Sequence, residues 1–151
     1  MKKSEIVLLI FTVLIDQLTK FVVESRMALY ESIEIISGFF HITYTRNTGA
    51  AWSILEGQGT LFAIMALIVS CGIIYYLFRN RNASVFERTA MILICGGALG
   101  NMIDRVVHGY VVNFLNFYIF GYDYPVFNVA DSFLVIGVAM LVIETIFSKE
   151  K

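Results

Sequence analysis

Four long apolar blocks, separated by short charged or polar stretches, constrain this chain most. They run roughly over 6–23, 61–78, 89–105 and 126–147, each close to the ~20 residues that an α-helix needs to cross the hydrocarbon core. Of the 151 residues, 58% are hydrophobic and 15% charged, whereas a soluble domain is nearer about half apolar and a quarter charged. The composition predicts one integral membrane domain over 1–151, all-α in its spans, with outer loops at 25–60 and 106–125. A net charge of −1 excludes a basic nucleic-acid footprint. Cys71 and Cys95 both lie inside apolar blocks, where a thiol acts as a small hydrophobe, so neither a disulfide nor a zinc site is expected.

The first block follows Lys2 and Lys3 and has the outline of a signal peptide, but Asp16-Gln17 stands where small residues would precede a cleavage site. It reads as a retained helix. Four spans put both termini on one side. Lys2, Lys3, Arg79, Arg81, Arg88, Lys149 and Lys151 gather on that side, leaving chiefly Arg26 and Arg46 opposite. By the positive-inside rule the termini are cytoplasmic and the two long loops face outward.

The embedded polar residues then sort by depth. Asp16 and Lys20 are four apart on one helix face, Asn101 and Asp104 three apart, and Asn128 and Asp131 three apart. All fall near the outer interface, while Glu144 falls near the inner one. In the first outer loop Phe40, Ile42 and Tyr44 alternate with His41, Thr43 and Thr45, the period-two signature of a half-buried strand. Ile33, Ile35 and Ile36 before Gly38 predict a second strand. Arg46 to Trp52 reads as a turn entering a short small-residue helix. The second outer loop, with Phe114, Phe117, Tyr118, Phe120, Tyr122 and Tyr124, reads as an amphipathic lid at headgroup level.

His41 and His108 have no partners at metal-ligand spacing. Gly96 and Gly100 form a Gly-x-x-x-Gly pair, which commonly signals close helix packing. Asp16 with Lys20 fits a self-neutralising ion pair or a catalytic role. Asp104, Arg105 and Asp131 are stronger functional candidates, because ionisable groups at such depth are costly to keep. Two carboxylates facing one water suit hydrolysis, one withdrawing a proton and the other donating to a carbonyl. Residue chemistry alone leaves an intramembrane hydrolase and a proton-coupled transporter both open.

Five ordered motifs go further. They are Asp16-Gln17-Leu18-Thr19-Lys20, Asn47-Thr48-Gly49-Ala50-Ala51-Trp52-Ser53, Gly100-Asn101-Met102-Ile103-Asp104-Arg105, Val111-Val112-Asn113-Phe114 and Phe127-Asn128-Val129-Ala130-Asp131-Ser132. Together they resemble lipoprotein signal peptidase (signal peptidase II), an intramembrane aspartyl protease family, over essentially the whole chain. The resemblance implies four membrane helices, a small extracytoplasmic β-cradle and a short lid helix. It also implies cleavage of prolipoproteins before a diacylglyceryl-modified cysteine, inhibition by globomycin, a monomer in membrane lipid, and no cofactor. The implied catalytic pair is Asp131 and the residue at position 113, where the family has aspartate and this chain has Asn113. Asn47, Asn101, Arg105 and Asn128 are implied substrate ligands, with Asp16, Lys20 and Asp104 in support. An amide cannot take a proton at neutral pH, so impaired cleavage is expected. Three explanations stand: a substitution that keeps shape while disabling cleavage, an inactive natural paralogue, or relocation of the second carboxylate to Asp104 or Asp123. Asp104 is expected to brace Arg105. A small transporter and a non-catalytic lipoprotein-binding protein are the alternative functions.

Overall fold

A computed structural model describes residues 1–49 and 56–148. The element order is α1 (Lys3–Arg26), β1 (Ser32–Ile36), β2 (Phe40–Asn47), α2 (Gly59–Arg79), α3 (Val85–His108), β3 (Val111–Ile119), β4 (Tyr122–Asp123) and α4 (Val129–Ser148). All four helices are long and apolar enough to cross a membrane. Their outward faces carry exposed Leu, Ile, Val and Phe side chains, as lipid-facing surfaces require.

Helix α3 is the hub and packs against each of the other three. Its small residues permit this. A Cβ on Gly96 would strike the Thr12 side chain, and one on Gly100 would lie 2.5 Å from Asp16 Oδ2. The glycine pair is therefore where α1 presses onto α3. Helix α3 starts with Ser84 accepting from Glu87 N at 3.0 Å and ends at Gly109, whose φ of 79° is left-handed. That C-cap turns the chain directly into β3.

The sheet is antiparallel in the order β1-β2-β3-β4. Ile33 pairs with Ile42, and Thr45 with Asn113. The predicted hairpin before and after Gly38 is present. The second outer loop differs from expectation. Among its described residues there is no lid helix; it forms β3 and β4, with Phe120 fully exposed at their tip at φ 50°. Val111, Val112, Asn113 and Phe114 are all buried, so the strand is covered on both faces and lacks the alternation that marks a half-buried one. Of the stretch Arg46–Trp52, read as a turn entering a short helix, Arg46 and Asn47 end β2 and Thr48 and Gly49 form a bend, while 50–52 lie outside the described residues.

The sheet is fastened to α1 by apolar and polar contacts. Tyr44, Val112 and Phe114 pack with Val23. Beside them Glu24 Oε1 accepts from Tyr44 Oη at 2.9 Å and Tyr110 Oη at 2.8 Å. Arg46 Nε donates to Tyr44 Oη, and its guanidinium lies 4.4 Å from the Tyr110 ring centroid. Burial, aided by the bond to Glu24, pushes the Tyr110 phenol up to about 12. At the opposite end of the bundle Arg88 donates to Glu5 at 2.7 and 2.9 Å and to the carbonyls of Leu77 and Asn80. This buried pair joins α1 to the α2–α3 turn, and composition gave no sign of it.

Candidate active site

The start of α4 organises the site. Asn128 Oδ1 accepts from Asp131 N at 2.9 Å, and Asp131 Oδ2 accepts from Asn128 N at 3.2 Å. This reciprocal cap satisfies helix-start donors and explains the spacing of three between the two residues. It also fixes where the Asp131 carboxylate points.

From that cap the polar groups spread across three other elements. Asn128 Nδ2 reaches Asn113 Oδ1 at 2.8 Å, Asn101 Oδ1 at 3.0 Å and Val112 O at 3.2 Å. An amide nitrogen has two protons, so three acceptors share them. Asn113 Nδ2 donates to Val126 O at 2.8 Å. Asn101 Nδ2 donates to Asp131 Oδ1 at 2.7 Å, while Asn101 Oδ1 receives Lys20 Nζ at 3.0 Å.

Lys20 lies between two carboxylates, 2.8 Å from Asp16 Oδ2 and 3.0 Å from Asp104 Oδ2. All three side chains are almost fully buried. The remaining lone pairs are used as well. Asp16 Oδ1 accepts from Ala130 N at 2.9 Å, Asp104 Oδ2 from Val112 N at 3.1 Å, and Asp104 Oδ1 from Gln17 Nε2 at 2.8 Å. Buried charge is tolerated when paired and hydrogen-bonded in this way. The cluster ties α1, α3, β3 and the start of α4 together. It corrects one expectation: Asp104 braces Lys20 and β3, and makes no ion pair with Arg105 among the described residues.

A cavity of about 790 Å³ opens beside this cluster. Asn113 and Asp131 both line it, with Asn47, Asn101 and Arg105. Phe62 and Ala66 of α2 and Leu134 and Val135 of α4 make its apolar walls. Arg105 donates to Gly49 O at 3.0 Å and Asn101 O at 3.3 Å, and its guanidinium lies 5.2 Å from the Phe62 ring centroid. Its buried Nε has no partner among the described residues. Asn47 Oδ1 accepts from Gly49 N at 2.8 Å, shaping the turn after β2.

Two sequence readings change here. Asn128 is fully buried and does not line the cavity, because its amide is consumed by the α4 cap and by Asn113. Neither Asp104 nor Asp123 lines the cavity either, so neither stands where a relocated carboxylate must stand. Gln17 bridges Asp16, Gly100 O and Asp104, a role to which only its place between Asp16 and Lys20 in the first motif points.

The family profile described as signal peptidase (SPase) II matches residues 8–147. The chain belongs to the signal peptidase II family. Lipoprotein signal peptidase of Staphylococcus aureus (strain MRSA252) is 42% identical over 152 residues, spanning 98% of this chain and 93% of the relative. The same enzyme of strain Newman is 41% identical over the same shares. A bacterial membrane enzyme solved by the in meso method at 2.3 Å resolution superimposes with a TM-score of 0.91 at 41% identity, covering 97% of this chain and 89% of that one. Another, solved at 1.9 Å, gives 0.86 at 42% identity, covering 94% and 92%. Signal peptidase II membership makes the chain a membrane hydrolase of the prolipoprotein-processing class.

Proposed function

We propose that this chain binds diacylglyceryl-prolipoproteins as an aspartyl-type signal peptidase II whose cleavage step is impaired at Asn113. The single observation behind this reading is that Asn113 and Asp131 line one cavity and are held by one residue, Asn128. Asp131 is the base that would take a proton from the attacking water. The facing group should donate to the scissile carbonyl and accept a proton in turn, and an amide does not complete that cycle. Asn47, Asn101 and Arg105 are substrate ligands in this scheme. Asn128, Asp16, Lys20 and Asp104 are positioning residues that set the carboxylate and the strand.

Peptide backbone would lie along the polar wall, with the signal segment against Phe62, Ala66 and Leu134. Globomycin would compete for the same space. No cofactor is needed by water and two acid/base groups. The chain would work as a monomer with its termini cytoplasmic and the cavity near the outer surface. A transporter requires polar access from both sides, whereas the charged and amide groups lining the cavity, Asn47, Asn101, Arg105, Asn113 and Asp131, gather at one end of the bundle, where α3 ends and α4 begins. The test is capture: full-length chain incubated with a diacylglyceryl-prolipoprotein in detergent should retain it uncut, and Arg105→Ala should release it. Failure to retain the substrate, or release equal to that of an unrelated membrane protein, would overturn the reading.

A further inference from the structure

A second groove of about 460 Å³ lies on the far side of the sheet, between α1 and the strands. One wall is the α1 face bearing Leu18, Val22 and Arg26, spaced by four and so stacked along the helix. The other wall is Ile33 of β1, its register partner Ile42 of β2, and Phe114 of β3. Thr19 also lines it, but its hydroxyl is turned onto the carbonyls of Ile15 and Asp16, which leaves the wall apolar. From Leu18 to Arg26 the groove rises about 12 Å at 1.5 Å per residue. It thus runs from the hydrocarbon region toward the interface.

At its mouth Arg26 is exposed, ends α1, and makes no hydrogen bond or ion pair among the described residues. The nearby Glu24 is turned away onto Tyr44, Tyr110 and Arg46. An apolar slot capped by an unneutralised guanidinium complements an acyl chain capped by a phosphodiester. Arginine is suited to phosphate by its planar fork.

We propose that this groove is a binding site for one acyl chain of a glycerophospholipid, with the lipid phosphate on Arg26. It is separate from the cavity lined by Asn113: no residue lines both, and the two share only strands β2 and β3, which give Asn47 and Asn113 to the cavity and Ile42 and Phe114 to the groove. This site does not depend on the reading of the cavity, because a diacylglyceryl-peptide carries no phosphate beside its glycerol.

Photolabelling of the full-length chain in detergent tests it, using phosphatidylglycerol with a diazirine on one acyl chain and mapping the adducts by mass spectrometry. Labels are expected within 18–27 and at Phe114. Arg26→Gln should lower labelling about tenfold, as loss of one charge-assisted contact predicts. Val22→Trp, at an exposed position, should block the slot without unfolding the chain. The same probe as a diacylglycerol, without phosphate, should label about tenfold less. Equal labelling by diacylglycerol, no change in Arg26→Gln, adducts confined to the larger cavity, or displacement by a diacylglyceryl-peptide would each overturn the proposal.

Discussion

Replacing Asn113 with aspartate is the perturbation that bears most directly on the chemistry. The side chain now spans two contacts of 2.8 Å, accepting from Asn128 Nδ2 and donating to Val126 O. In Asn113→Asp one carboxyl oxygen keeps the Asn128 contact. The other faces the Val126 carbonyl and can bond to it only with a proton on the carboxyl. Asp131, by contrast, accepts from two N–H groups, Asn101 Nδ2 and Asn128 N, an arrangement suited to a carboxylate. The substitution therefore supplies an acid opposite a base across the same cavity. A positioned acid/base group contributes roughly 10²–10⁴ in rate, and groups acting as a unit contribute together. Cleavage of a diacylglyceryl-prolipoprotein, read by gel shift in detergent, should rise at least ~100-fold over the present chain. Activity should fall on the alkaline side, as the proton shared with Val126 O is lost. Equal rates for the two proteins would refute the assignment of position 113. Full activity in the present chain would show that Asp131 needs no partner carboxyl.

Other outcomes follow from the packing. Lys20→Met leaves Asp16 and Asp104 buried without their cation; breaking such a pair costs about 3–5 kcal/mol, which thermal unfolding in detergent should show. Gly100→Ala drives a methyl against Asp16 Oδ2 and should destabilise by about 1–3 kcal/mol through overpacking, measured in the same way. The Tyr110 phenol, held at about 12 in the fold against an ordinary value of 10.0, stabilises the neutral form. That contribution is whole below pH 10 and is lost as pH rises toward 12. Tyr110→Phe should lessen the alkaline drop in melting temperature, the remainder coming from Tyr44, whose phenol burial also pushes up, with tyrosinate absorbance following the titration.

The four spans and the β1–β2 hairpin were legible because hydrophobic length and period two are local signals. The shared level of Asp16, Asn101 and Asp131 was legible for the same reason, since spacing along each helix sets depth. β3 was not. Val111 to Phe114 are buried on both faces, so the run reads as apolar mass, and its aromatic continuation mimics an interfacial helix. Pairings across long sequence distance were also hidden. Glu5 meets Arg88, which sequence counted only among the basic residues of one side, and Asp104 meets Lys20 in preference to its neighbour Arg105. Such choices depend on how helices rotate against each other, which the glycine contacts decide.

The double duty of Asn128 has a mechanical consequence. The amide that begins α4 also grips the strand residue opposite, so neither element can shift without uncapping the other. Strand and helix must travel as one rigid block. Accommodation of bulkier or slimmer guests then falls to the α2 flank, where Phe62 and Ala66 line the cavity without hydrogen bonds from their side chains and can yield at smaller cost.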